Sequence, residues 1–254
     1  VPLALSFANS LANATAAPRV ALAEVICIGD SWLADRRANL STELATAHSG
    51  QAVIGIAAPG LEAADLADPG QTHWHTYRRA LIENGSGLQR IYVSTGWDNL
   101  GSLLLSDCSR CTSPDECFDA ARMSYRFSRI CSDIAVLLKL TRELAPSAKV
   151  VLHNYDYALP DGRVEYGTGK WLKVPLHLHK VPDDGVLARG GFRREVVATL
   201  VDIYGEWLTH LASKHPNATF CKTAGTLADD EWQDEMHPTA EGYRKLAAVL
   251  ANAA

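Results

Sequence analysis

The chain has 254 residues, 47% of them apolar and 21% charged, with a formal net charge of −5. That length suits one large α/β domain able to fold without metal or cross-link, and the balance is not that of a disordered chain. The negative charge argues against a nucleic-acid binder, which needs a basic face, and no apolar run is long enough to cross a bilayer.

The first 19 residues are rich in Ala, Ser and Asn and carry no charged side chain before Arg19. They are expected to be a disordered tail or the remnant of an export segment, leaving residues 20–254 as a single domain. Five runs rich in Val and Ile then read as buried strands: 24–29, 52–57, 90–95, 149–155 and 218–222. The first four are nearly continuous in apolar character, as strands covered on both faces of a parallel sheet must be. Helical spacing of apolar residues falls between and after them, at 33–47, 74–83, 118–144, 194–213 and 239–253. The alternation predicts a three-layer α/β/α, flavodoxin-like fold with a doubly wound five-stranded parallel sheet. Ligands of such sheets bind beyond the carboxyl ends of the strands. Two long connections, 100–116 and 156–193, are expected to shape that edge.

Cys27 and Cys221 fall within strands and read as small buried hydrophobes. Cys108, Cys111, Cys117 and Cys131 cluster instead. Zinc would want a second Cys pair or histidines, so disulfides are the expectation, which points to a periplasmic or secreted protein. Sequons at Asn13, Asn39, Asn84 and Asn217 carry little weight, such patterns being short. His177 and His179 alternate as on a strand, but no carboxylate or thiolate stands at a convincing ligand spacing. No metal and no cofactor are expected.

The first strand ends in Gly29-Asp30-Ser31-Trp32 and runs into a helix. A serine at that turn faces the cleft, with its own N–H at a helix start where developing negative charge is favoured. Asp30 and Ser31 would equally serve as plain helix caps. A serine nucleophile needs a base, and near the C-terminus stands Asp234-Glu-Met-His237-Pro238. On a single turn the carboxylate at i reaches the imidazole at i+3, leaving Nε2 to take the serine proton.

These segments together resemble the GDSL/SGNH hydrolase family, whose four sequence blocks come in fixed order. Gly29-Asp30-Ser31 is similar to the first block, and Asp234-x-x-His237-Pro238, followed by Gly242-Tyr243, to the last. Gly60, in Ala57-Ala58-Pro59-Gly60, stands where the second block places its glycine. The third block departs: the family shows Gly-x-Asn-Asp, whereas this chain reads Gly96-Trp97-Asp98-Asn99. An ionised Asp98 can only accept hydrogen bonds, so Asn99 is taken as the side-chain donor. The resemblance implies a serine esterase working through an acyl-enzyme, with Ser31, Asp234 and His237 catalytic. Ser31 and Gly60 N–H and Asn99 would form the oxyanion hole, and Trp97 would touch substrate. The partner would be a small-molecule, glycan or lipid ester: an acetylated sugar, a lipid or an aryl ester. Two rivals remain, an O-acetyltransferase on the same residues and a carbohydrate- or lipid-binding module with weakened catalysis. Trp74 and Trp171 are further pocket candidates, and His153-Asn-Tyr-Asp-Tyr-Ala-Leu-Pro160 either lines the cleft or satisfies loop backbone.

Overall fold

The structure, a computed structural model, describes residues 6–7, 22–96, 100–163 and 171–253. Five parallel strands fall where the apolar runs predict: β2 (Val25–Gly29), β3 (Val53–Ala57), β4 (Arg90–Ser94), β5 (Lys149–His153) and β6 (Ala218–Cys221). Ser6–Phe7, inside the expected tail, form a two-residue edge strand β1 that pairs with Ile54–Gly55. The order is β1-β3-β2-β4-β5-β6, all parallel, so the five predicted strands, β2 to β6, have the doubly wound order expected. The order of strand addition reverses beside β2, and that places the switch point at its carboxyl end.

The helices are α1 (Ser31–Ala34), α2 (Leu40–Ala47), α3 (Ala63–Ala67), α4 (Thr72–Asn84), α5 (Ala120–Leu144), α6 (Lys173–Leu178), α7 (Phe192–Lys214) and α8 (Ala240–Ala251). They pack as two groups, α1 with α2 and α8, and α3 and α4 with α5 and α7. The long helix α5 buries Phe127, Ile130, Cys131, Ile134, Leu138 and Thr141, one face at helical spacing.

Two expectations are corrected. The helix predicted over 33–47 is broken between Ala34 and Leu40. Asp35 turns the chain by accepting from Arg37 N (2.9 Å), and Asn39 caps the new helix by accepting from Thr42 N (2.8 Å). The stretch around His177 is helical, not strand-like, since it lies in α6. Three sequon asparagines, Asn39, Asn84 and Asn217, are buried, and each is held by hydrogen bonds within the fold.

His153 ends β5 fully enclosed, its Nδ1 facing Tyr155 N at 3.3 Å and its ring stacked on Trp32. Burial pushes its pKa down to about 4. Between pH 6.5 and 4 the unfolded chain therefore holds a proton at this residue that the folded chain does not. Stability should fall as pH drops through that window, with a slope from this group approaching about 1.4 kcal/mol per pH unit. Urea unfolding of His153→Gln across pH 4 to 7 should show a shallower acid slope than the parent. An unchanged slope refutes the assignment.

Candidate active site

The carboxyl ends of β2, β4 and β5 are drawn together by one buried side chain. Asp30 caps α1 by accepting from Trp32 N (3.1 Å), and it also accepts from Ser94 Oγ (2.8 Å) and from the Tyr155 hydroxyl. Its own N–H donates to the Ser94 carbonyl (2.9 Å). Gly29 is required just before it: φ is +149°, and a Cβ there would sit 1.7 Å from Ser94 O. Ser31 follows as the first residue of α1, so its N–H has no acceptor within the helix.

Across 206 residues of chain, His237 Nε2 lies 3.0 Å from Ser31 Oγ. Its Nδ1 lies 2.9 and 3.1 Å from the two oxygens of Asp234. The structure thus brings Ser31, Asp234 and His237 together, the last two within one tight turn. Asp234 Oδ1 accepts from Met236 N and His237 N, and Gln233 N donates back to the His237 carbonyl. A tight loop closed by the aspartate orients its own histidine. Burial alone would raise the Asp234 pKa, but the bonds from His237 and from the backbone bring it down to about 2, so it is anionic at neutral pH. An imidazole held this way can take a proton from the hydroxyl at Nε2 while Nδ1–H faces the carboxylate.

Gly242-Tyr243 supports this loop from behind. A Cβ at Gly242 would come within 2.9 Å of Glu231 O and 3.0 Å of Pro238 Cβ. Tyr243 is buried edge-on against Trp32, whose Nε1 donates to the Met236 carbonyl (2.8 Å).

A cleft of about 1140 Å³ is lined by Ser31, Asp234 and His237 together with Arg37, Pro59 and Trp171. Trp171 stands edge-on to His237 with ring centroids 5.7 Å apart. Ala58-Pro59-Gly60-Leu61 is a tight turn closed by Leu61 N to Ala58 O (3.2 Å). Pro59 and Gly60 occupy its centre, with Gly60 at φ +73°. A Cβ at Gly60 would meet nothing within 4 Å, so conformation and not space calls for glycine. Trp97, Asp98 and Asn99 lie outside the described residues. The chain leading to them is fixed, since Tyr204 donates to the Thr95 carbonyl and a Cβ on Gly96 would strike the Tyr155 ring at 2.8 Å.

Other candidates fall away from the cleft. Trp74 packs on His75 with Arg78 over its ring, His177 is exposed, and His179 Nδ1 lies 2.6 Å from Leu105 O. The segment after β5 satisfies backbone groups, and its Tyr155, Asp156 and Ala158 line a small pocket with Ser31 apart from the main cleft. Tyr155 holds Asp30, and Asp156 accepts from Tyr157, Gly225 and Leu227 N–H.

Sequence reasoning missed Arg37 and Glu235. Arg37 sits in the break between α1 and α2, bonded to Asp35 (2.6 Å) and to Asp234 Oδ2 (3.1 Å). A basic residue so close to the serine was the available signal, but an assumed continuous helix hid it. Glu235 is fully buried and accepts from the N–H groups of Gly162 (2.8 Å), Leu172 (3.0 Å) and Lys173 (3.0 Å). It ties the loop bearing Trp171 to the loop bearing His237, and nothing local in the sequence marks it.

No protein-family model matches this sequence, and no curated protein does. Solved structures do. An SGNH hydrolase from Slackia heliotrinireducens aligns at TM-score 0.56 and 16% identity over 92% of this chain and 99% of its own. The extracellular lipase of Streptomyces rimosus aligns at 0.55 and 16% identity, over 91% and 100%. Phospholipase A1 of Streptomyces albidoflavus NA297 aligns at 0.55 and 16%, over 92% and 100%. At such identity the likeness is one of fold, and the fold is the one the motif resemblance implies.

Replacing Glu235 with Ala leaves three N–H donors to find other partners and should cost about 2–3 kcal/mol of stability. Hydrogen exchange at Gly162, Leu172 and Lys173 should quicken in the same variant. Exchange unchanged at all three would show that the carboxylate does not hold this loop.

Proposed function

We propose that this chain, folded as the SGNH hydrolases are, is a serine-dependent hydrolase of carboxylic esters. The observation that carries the reading is His237 standing between Ser31 Oγ (3.0 Å) and the Asp234 carboxylate (2.9 Å) at the edge of an open cleft. In this reading Ser31 Oγ bonds to the ester carbonyl carbon as its proton passes to His237 Nε2. The tetrahedral intermediate collapses, and the imidazolium gives that proton to the departing alkoxide. Water then repeats the sequence on the acyl-Ser31 ester, releasing the acid. Asp234 stabilises the transient imidazolium, and Arg37 keeps that carboxylate in place.

The negative charge on the carbonyl oxygen falls to the N–H of Ser31, the N–H of Gly60 and, from the sequence, the side chain of Asn99. Gly60 is favoured by its turn, in which it directly follows the cleft-lining residues Ala57, Ala58 and Pro59. Trp171 joins Trp97 as a candidate to touch substrate, since it lines the cleft beside the imidazole. The substrate class is an ester of a small molecule, glycan or lipid. Export to the periplasm or beyond the cell belongs to the same proposal, on the fold shared with the extracellular lipase of Streptomyces rimosus and not on disulfides.

Ser31→Ala should abolish hydrolysis of p-nitrophenyl esters and labelling by a fluorophosphonate, with little change in Tm. His237→Ala should cost as much activity as Ser31→Ala, because the three groups act as a unit, and Asp234→Asn less than either. Parent-like activity in Ser31→Ala refutes the reading.

If Asn99 supplies the third donor, Asn99→Ala should lower kcat by about 10²–10³ with KM little changed. Asp98→Ala should be near neutral. A large loss confined to Asp98→Ala would assign the donor to Asp98 instead.

A further inference from the structure

The four clustered cysteines do not stay together in the fold. Cys131 lies on α5 with its Sγ 3.9 Å from the Trp207 carbonyl oxygen. Cys108, Cys111 and Cys117 converge, their three sulfurs all within 4.8 Å of one another. All are unbonded, Cys108 and Cys117 are fully buried, and Cys111 is half-buried at the surface.

The backbone prepares this convergence. Cys108-Ser-Arg-Cys111 is a turn closed by Cys111 N to Cys108 O (3.0 Å), which brings two sulfurs to one side. The third arrives on the short 3-10 turn Pro114–Cys117, whose start is fixed by Glu116 accepting from Thr112 N (2.7 Å) and Ser113 N (3.3 Å). Leu105 N to Cys117 O (2.8 Å) and Asp119 N to Leu103 O (2.9 Å) then close the loop upon itself.

A disulfide, the expectation from spacing, would consume two of these sulfurs and leave the third beside the bond without a partner. A tetrahedral soft cation uses all three. With metal–sulfur bonds of about 2.3 Å, neighbouring sulfurs stand about 3.8 Å apart. The observed spread exceeds that by no more than about 1 Å, within the reach of side-chain rotation.

We infer that Cys108, Cys111 and Cys117 form a three-thiolate site for one Zn²⁺-class cation. Binding replaces three S–H bonds by three metal–sulfur bonds and releases three protons, with no change of oxidation state. Among the described residues no fourth His, Cys, Asp or Glu joins the set, so water completes the tetrahedron on the half-exposed Cys111 side.

The site has a structural purpose. Cys108 N donates to the His179 carbonyl (2.8 Å), His179 Nδ1 meets Leu105 O, and Lys180 pairs with Asp107 (2.6 Å). These bonds join the connection after β4 to the chain just beyond α6. A cation held at Cys108 therefore stiffens the join between the two long loops, one of which carries Trp171. The inference is independent of the esterase reading, since its test reads metal and not turnover.

The intact chain, reduced and stripped of metal under anaerobic conditions, is titrated with Co²⁺. One equivalent should bind with sulfur-to-cobalt charge-transfer absorption and tetrahedral visible bands, and Zn²⁺ should displace it. Proton release of three per ion and a Zn²⁺-dependent rise in Tm should accompany binding. Cys111→Ser, at the half-exposed position, should weaken Co²⁺ binding by more than about a hundredfold, more than loss of an outer hydrogen bond to a ligand would. Cys131→Ser should leave the spectrum unchanged. Failure of the reduced parent to give the cobalt spectrum overturns the site. So does isolation of a zinc-free protein in which two of the three cysteines are joined by a disulfide.

Discussion

The carboxyl group of Asp30 is the interaction on which the rest of this structure depends. It is buried at the switch point of the sheet, where a carboxyl costs several kcal/mol unless its oxygens are matched by donors. Three donors arrive from three places: Trp32 N at the start of α1, Ser94 Oγ at the end of β4, and the Tyr155 hydroxyl beyond β5. Matching them fixes the relative height of three strand ends. A half-matched set would be worse than none, so the residues around it are constrained together. Gly29 admits the close pass to Ser94 O, and Tyr155 accepts a left-handed backbone (φ 64°) to aim its hydroxyl inward. Ser31 inherits its position from this network, being the next residue along.

A second constraint brings the far end of the chain to meet it. Asp35 and Asp234 both face the cleft with Ser31, and two carboxylates so placed repel unless a cation stands between them. Arg37 is that cation, and its bond to Asp35 holds its own charge firmly. The break between α1 and α2 is therefore no defect. A continuous helix would carry Arg37 round the axis, whereas the Asp35 turn and the Asn39 cap stop the helix where the guanidinium can reach Asp234. Arg37 bonds to Oδ2, while Oδ1 accepts from the Met236 and His237 N–H groups.

Whatever depends on local periodicity was legible in the sequence. The strand β2 could be read because each of its residues is buried, and α5 because Phe127, Ile130, Ile134 and Thr141 repeat at helical spacing. The convergence of Ser31, Asp234 and His237 could be read because each sits in a short motif. Arg37 could not, because side-chain bonds to Asp35 and Asn39 overrode a helical pattern in apolar residues that was present but weak. Glu235 could not either: its three backbone partners lie 62 to 73 residues away, and the pattern around it is set by the tight loop. The cysteines were legible as a cluster, but only the path of α5 separates Cys131 from the other three. The strand at Ser6–Phe7 is too short for any period to show.

The order of Asp98 and Asn99 is the one place where chemistry and motif resemblance disagree, and the surrounding charge bears on it. The chain reaches Gly96 along a fixed path, clamped by the Tyr204 bond to Thr95 and by the rings of Tyr155 and Tyr204 against Gly96. Within the cleft Asp35 and Asp234 already share Arg37, and the Asp30 carboxyl lies beneath Ser31. The neutralising capacity of the one guanidinium seen to pair with them is thus divided between two carboxylates. A further ionised carboxylate aimed at the same point would oppose both the developing oxyanion and the approach of electron density to the carbonyl carbon. An amide adds a donor without adding charge. The proposal that Asn99 supplies the third donor rests on that electrostatic argument, whatever the order in which the sequence presents the pair.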